Sequence, residues 1–190
     1  MTKRVYFAFH YQDVIDLRAN VVRNHNMPEG VRKAGYFDSS IWESAKNTND
    51  LSLKRLINTE LEGTSVTAVL IGSLTYARPW VRYEIFKSIE RGNIVLGIHI
   101  NGIAGRDRQT KTPGPNPFDN LGLVVSDDGS KGSPTEWNGT QWVVFDSVSP
   151  FKISTQQSFD RGRHFPLSKW ISVYDWVQHN GYNNFRNWIR

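Results

Sequence analysis

The stretch that decides the fold runs from Val66 to Ile100. It opens with Val66-Thr67-Ala68-Val69-Leu70-Ile71 and passes through Gly72-Ser73-Leu74-Thr75-Tyr76-Ala77-Arg78. It continues as Pro79-Trp80-Val81-Arg82-Tyr83-Glu84-Ile85-Phe86-Lys87-Ser88-Ile89-Glu90-Arg91-Gly92 and closes with Ile94-Val95-Leu96-Gly97-Ile98-His99-Ile100. The first run is short and almost wholly apolar, which predicts a strand buried on both faces. Proline in the first helical turn and glycine just past the last one bracket a helix over 79–91. The closing run predicts another buried strand. A strand, a helix of this length and a second strand make a parallel pair joined by a crossover helix.

Upstream, the same alternation repeats. Val5 to Phe9 predicts a strand, and Asp13 is placed to cap a helix reaching about Asn24, with Val14, Leu17 and Val21 on one stripe. Ala34 to Asp38 predicts a second strand, followed by a polar, loop-like stretch to Asn49. Asn49 or Asp50 caps a further helix, with Leu53, Ile57 and Leu61 on one face and Gly63 at its end. Four strands alternating with three helices over residues 5–100 predict an α/β fold: a mostly parallel sheet with helices on both faces, binding ligands beyond the carboxyl ends of its strands.

The pattern breaks at Asn101. Residues 101–135 hold six Gly and four Pro, which predicts an irregular insertion with one strand at Leu121 to Val125. Trp137-Asn138-Gly139-Thr140-Gln141-Trp142 predicts a hairpin, with Gln141 to Phe145 as the last strand of the sheet. Leu167 to Gln178 predicts a helix, and Tyr182 to Ile189 another turn or two. The aromatics of residues 167–190, namely Trp170, Tyr174, Trp176, Tyr182, Phe185 and Trp188, are expected to serve as packing. The whole of 1–190 is read as one domain.

Composition narrows the chemistry. The 190 residues contain no Cys, which excludes a disulfide scaffold, a thiolate metal site and a cysteine nucleophile, and points to a cytoplasmic location. No apolar run approaches the length needed to span a bilayer, and Met1 to Val5 shows no signal-peptide plan. The net charge of +5 favours anionic partners, but the basic residues form no run, so neither a nucleic acid nor a membrane partner is expected. The five histidines have no metal-ligand spacing, and no metal site is expected. There is no Gly-x-Gly-x-x-Gly after the first strand and no phosphate-binding Lys-Ser/Thr loop. Gly72-Ser73 and His10-Tyr11 stand where a phospho-acceptor receiver domain would carry its acidic residues.

The helix over 79–91 carries the most informative pair. Val81, Ile85 and Ile89 make its core stripe, and Trp80, Glu84, Lys87 and Arg91 fall on the opposite one. Trp80 and Glu84 stand one above the other at i and i+4, at the carboxyl edge of the sheet. An indole beside a carboxylate suits a flat base joined to a hydroxylated sugar: the ring stacks and the carboxylate accepts from sugar hydroxyls. The alternative reading has Trp80 covering a loop and Glu84 paired with Lys87 or Arg91. His10, at the end of the first strand, reads equally as a packing residue or as a pocket residue.

These segments also carry a resemblance. Ile71 to Glu84, with its Ser73, Tyr76 and Trp80-x-x-x-Glu84, resembles the corresponding segment of TIR domains. Phe7-Ala8-Phe9-His10-Tyr11 resembles their first-strand box, with Phe9 where Ser is usual, and Tyr36-Phe37-Asp38 resembles the end of their second strand. More narrowly, the chain is similar to the ThsB-like TIR proteins of the bacterial Thoeris anti-phage defence system. The resemblance spans residues 4–100 and the strand near 142–146.

It implies a flavodoxin-like fold and an NAD+-consuming activity that yields a cyclic ADP-ribose isomer. Glu84 would be the catalytic carboxylate and Trp80 the ring stacked on the base, with Phe9, His10, Tyr11, Asp38 and Ser73 lining the pocket. NAD+ would be a substrate, with no cofactor. An infection-derived trigger, such as a phage component, would switch the enzyme on, and the nucleotide product would activate a separate effector. The oligomeric state is left open, with a homo-oligomer as one alternative. The rival reading is a TIR-like interaction module without catalysis, since one fold serves both uses.

Overall fold

The computed structural model describes residues 3–25, 31–34, 50–153 and 161–190. Its centre is a five-stranded parallel sheet of β1 (Lys3–Ala8), β2 (Val31–Ala34), β3 (Val66–Ile71), β4 (Ile94–His99) and β10 (Val173–Asp175), in the spatial order β2-β1-β3-β4-β10. That is the flavodoxin-like order, with the chain reversing direction between β1 and β3. β1 and β3 alternate their side chains between two cores. Val5 and Phe7, with Val66, Ala68 and Leu70, face one side; Tyr6 and Ala8, with Val69 and Ile71, face the other. All six residues of β3 are buried, as its unbroken apolar run predicts.

On the first side lie α2 (Arg18–Asn24), through Ala19 and Val22, and α5 (Gly181–Trp188), through Phe185. On the other lie α3 (Asp50–Leu61), through Leu53, Ile57 and Leu61, and α4 (Pro79–Glu90), through Val81 and Ile85. The predicted terminators hold their places: Gly63 and Gly92 follow α3 and α4 with φ of +68° and +78°, the left-handed region in which glycine carries no steric penalty.

A second sheet, antiparallel throughout, is built from β5 (Leu121–Val125), β6 (Lys131–Trp137), β7 (Trp142–Val144), β8 (Phe151–Lys152) and β9 (His164–Pro166). It shares one apolar core with the α3–α4 side of the parallel sheet, through Leu121, Leu123, Phe145, Val148 and Phe151. Phe145 meets Phe86 with ring centroids 5.0 Å apart, and Arg82 of α4 pairs with Glu136 of β6 at 2.6 Å. Gly97 makes the docking possible, because a Cβ there would stand 2.8 Å from Phe118, which lies fully buried just before β5. Helix α4 thus packs on the parallel sheet through Val81 and Ile85 and meets the second one through Arg82 and Phe86.

Several expectations are corrected. The described second strand is Val31–Ala34, and residues 35–38 of the expected strand Ala34 to Asp38 lie outside the described residues; among the described strands it is at the sheet's edge and carries the charged residues Arg32 and Lys33 that edges tolerate. The helix expected from Asp13 to Asn24 is two helices, α1 (Tyr11–Ile15) and α2, broken at Leu17 with φ +67°. Asp13 is no cap: it lies in the first turn of α1 and is buried. The insertion at 101–135 contains two strands, β5 and β6, in a sheet of their own. β7 belongs to that sheet too, so Gln141 to Phe145 does not close the parallel one.

The closing strand is β10, inside the segment read as a helix from Leu167 to Gln178. Backbone pairing of Val173–Asp175 with Gly97–His99 overrides the helical spacing of Ile171 and Tyr174. The hairpin at Trp137–Trp142 forms as expected, with Gly139 at φ +104° in its turn. Among the C-terminal aromatics, Tyr174 stacks on Trp188 at 4.4 Å, and Trp176 and Phe185 are core, but Trp170 and Tyr182 are exposed.

Candidate active site

The loops after β1 and β3 leave the sheet toward opposite faces, which opens a crevice between their carboxyl ends. Phe9, His10 and Tyr11 follow β1; Gly72 and Ser73 follow β3; Trp80 and Glu84 lie in the first two turns of α4. Asp38 lies outside the described residues.

Glu84 holds the most unusual position. It is only 4% exposed and faces the core rather than the outer stripe expected from its pairing with Trp80. At three residues from Val81 and one from Ile85 it shares the inner face of α4. Its Oε1 accepts a 2.5 Å hydrogen bond from the hydroxyl of Tyr6, in the middle of β1. Neither expected cation meets it: Lys87 pairs with Glu90, and Arg91 donates to the backbone oxygen of Asn58. Among the described residues Glu84 has no ion pair. Burial therefore pushes its carboxyl up to about 8, and the Tyr6 hydrogen bond only partly opposes this. Burial, followed by the charge of Glu84 and its hydrogen bond, also drives the Tyr6 hydroxyl well above its ordinary value, so Tyr6 is a donor at any physiological pH.

Trp80 is half-buried. It packs against the cluster that contains Tyr6 and Val81, and meets the ring of Tyr83 edge-on at 6.0 Å. His10 is half-buried just beyond β1; burial, and then the charge of Arg78, hold its imidazole below the usual value, which keeps it neutral at pH 7. Phe9 is half-buried beneath the guanidinium of Arg23, whose centre lies 5.4 Å from the ring centroid, and Tyr11 is exposed. Ser73 accepts at Oγ from the Asn101 side chain at 2.7 Å.

Three contributors to this edge escape a sequence reading. Asp13 is 5% exposed, and its carboxylate lies against Gly72, where a Cβ would come within 2.2 Å of an oxygen. Burial pushes it up to about 6, against the pull of Lys111, Arg18 and a Thr75 hydrogen bond. Asn101, 1% exposed, ties the end of β4 to Ser73 and to the backbone oxygen of Thr112. Tyr6 sits seventy-eight residues from Glu84 in the chain, and no local pattern links the two.

Segment 101–116 closes over this edge. Gly114 packs on the Gly72–Ser73 backbone so closely that a Cβ would fall 2.2 Å from the Gly72 oxygen. Arg18, 1% exposed, donates to the backbone oxygens of Ile103 at 3.0 Å and Gln109 at 2.7 Å, and to Asp16 at 2.9 Å. Lys111 joins the same Asp16 carboxylate. The first part of the predicted insertion is therefore a cover fastened by one buried arginine.

Chemically, the arrangement offers one buried carboxyl without a cation, one neutral imidazole and one indole, around the rim of a flavodoxin-like sheet. Comparison with known proteins gives two matches. Residues 6–104 match the family described as Thoeris protein ThsB, TIR-like domain. The chain is 51% identical over 192 residues, covering all of both chains, to a protein of Bacillus cereus (strain MSX-D12) named "Putative cyclic ADP-D-ribose synthase ThsB1". By these matches, over a sheet in the flavodoxin-like order, the chain belongs to the ThsB family of TIR-like proteins.

Proposed function

We propose that this chain is an NAD+-consuming enzyme that cleaves the nicotinamide–ribose bond and makes a cyclic ADP-ribose isomer, a signal to a separate effector in anti-phage defence. The name of the Bacillus cereus relative supports the product class. The observation that carries the reading is Glu84: a carboxyl 4% exposed, with a tyrosine and no cation as its described partner. A glutamine or leucine would pack there at lower cost, because burying an uncompensated acid destabilises a fold. Buried acids with raised pKa cluster where chemistry needs them.

One carboxylate suffices for this reaction. The bond from ribose C1′ to the pyridinium nitrogen breaks, and its electron pair leaves with nicotinamide as a neutral molecule, so no general acid is needed. Opening the edge to admit substrate rehydrates Glu84 and lets it lose its proton to solvent, and the carboxylate then stabilises the ribosyl cation that develops and accepts from the ribose hydroxyls. A nucleophile of the adenosine half then closes on C1′ to give the cyclic product, whereas attack by water would give ADP-ribose and a proton. Trp80 stacks on a base and holds the substrate folded, which favours closure over hydrolysis through proximity. Phe9, His10, Tyr11, Asp38 and Ser73 line the substrate, with neutral His10 adding no positive charge beside the developing cation.

Because Glu84 is buried here, substrate must open the edge to reach it. That fits an enzyme silent until an infection-derived trigger, a phage component, acts on it. No helix among the described residues is long and apolar enough to cross a membrane. The test is mass-spectrometric analysis of nucleotides in infected cells expressing wild type or Glu84→Gln. The cyclic product appears with wild type and is absent with the variant. Equal product from both removes Glu84 from the chemistry, and intact defence without any product makes the chain a docking module.

A further inference from the structure

We propose that Tyr6 is the positioning residue for Glu84: its hydroxyl holds Oε1 and so leaves Oε2 as the only oxygen the carboxylate can offer to substrate. The inference rests on the catalytic reading of Glu84 and goes beyond it to a residue that lies in the middle of β1, outside the pocket-lining loops.

The geometry carries it. Tyr6 has no exposed surface, and its hydroxyl donates to Glu84 Oε1 at 2.5 Å, a short hydrogen bond. Its ring is fixed among Val69, Ile85 and the other residues of the α3–α4 core, so the hydroxyl is a rigid donor. A glutamate on a helix has three side-chain torsions, and a single fixed donor selects one arrangement from many. A carboxylate gripped at one oxygen presents the other in a set direction, which a reaction with a single charged group requires.

The bond also sets how easily the acid ionises. A donor to the charged form favours that form, and Tyr6 is the one polar group that lowers the Glu84 pKa against its burial. From β1, Tyr6 is the titratable group shown in contact with Glu84 among the described residues. From α3, Glu60 acts on the Tyr6 hydroxyl and disfavours its ionisation. No cation from α3, α4 or the sheet takes part among the described residues. Removing the hydroxyl should therefore leave a carboxyl that is loose and harder to ionise.

The test is the variant Tyr6→Phe, which keeps the ring, read by two independent measurements. The first is difference infrared spectroscopy of the folded protein over a pH series. Wild type minus Glu84→Gln gives the protonated-carboxyl band of Glu84, and Tyr6→Phe minus Tyr6→Phe/Glu84→Gln gives the same band without the hydroxyl. The band should broaden and its titration midpoint should rise by about one pH unit, the scale of one charge-assisted hydrogen bond. An unchanged band and midpoint overturn the inference, and this readout does not depend on activity.

The second is the amount of cyclic product in infected cells at matched protein level, where Tyr6→Phe should lower it by about ten-fold or more. Wild-type product from Tyr6→Phe, with none from Glu84→Gln, refutes the role of Tyr6 alone. Product from Glu84→Gln refutes the catalytic reading beneath it.

Discussion

Glu84→Gln should make the protein more stable, and the gain should depend on pH in a way that identifies its cause. In the folded protein burial raises the Glu84 carboxyl from its ordinary 4.5 to about 8. Between those two values the folded state holds a proton that the unfolded state has lost. Stability therefore falls as pH rises through this window, and the loss is complete above the folded value. A shift of this size corresponds to about 3 kcal/mol of lost stability at pH 7 and about 5 kcal/mol above pH 8, before water entry relaxes it. Glutamine fits the same space, still accepts from Tyr6 and never ionises. Its amide has its own burial cost, but that cost does not vary with pH.

The quantity to measure is the stability difference between variant and wild type, by urea denaturation at several pH values. It should shift toward the variant by about 3 kcal/mol between pH 5 and pH 8, or about 6–12 °C in melting temperature for a chain of this size. A difference that is flat with pH, or that moves toward wild type as pH rises, would show that Glu84 is ionised and satisfied in the folded state. The argument that its burial is tolerated for catalysis would then fail. Loss of cyclic product in the more stable protein separates chemistry from folding.

Other perturbations probe the parts around it. Trp80→Ala removes the proposed stacking surface and should weaken transition-state binding of NAD+ by about 1–3 kcal/mol, read as kcat/KM; an unchanged value makes Trp80 a packing residue only. Arg18→Ala leaves the carbonyls of Ile103 and Gln109 and the Asp16 carboxylate without their buried donor. It should cost about 3–5 kcal/mol and speed amide hydrogen exchange over residues 103–111, and unaltered exchange there would show that the segment is held by something else. Asp13→Asn should be neutral near pH 4 and stabilising by about 1–3 kcal/mol near pH 8, because the folded carboxyl titrates near 6; a variant less stable at every pH would mean the charge itself is needed.

Where side-chain pattern is dictated by burial, the sequence was legible. β3 is buried on both sides and reads as an unbroken apolar run, while α3 and α4 announce their ends with Gly63 and Gly92. The edge strands were not legible, because an edge needs little apolar content. β2 carries Arg32 and Lys33, and β10 hides in a segment whose apolar spacing also suits a helix. Of the second sheet, the strand Leu121 to Val125 and the hairpin at Trp137–Trp142 were visible, but not that they join one sheet. Most of its strands are short, and their pairing joins residues as far apart as Val124 and His164.

The sequence by itself determined the order of the central elements, the parallel sheet and the presence of Trp80 and Glu84 at the start of the helix after β3. Those follow from local periodicity and turn chemistry, which act within a few residues. Only the tertiary structure decided which way Glu84 faces, that Tyr6 holds it, that Asp13 is buried against Gly72, and that residues 101–116 lie fastened across the edge by Arg18. Each of these depends on groups brought together by folding from distant parts of the chain. The helix α4 shows the reason most plainly. Two sheets pack against it, and one of them is built from residues that come after the helix in the chain.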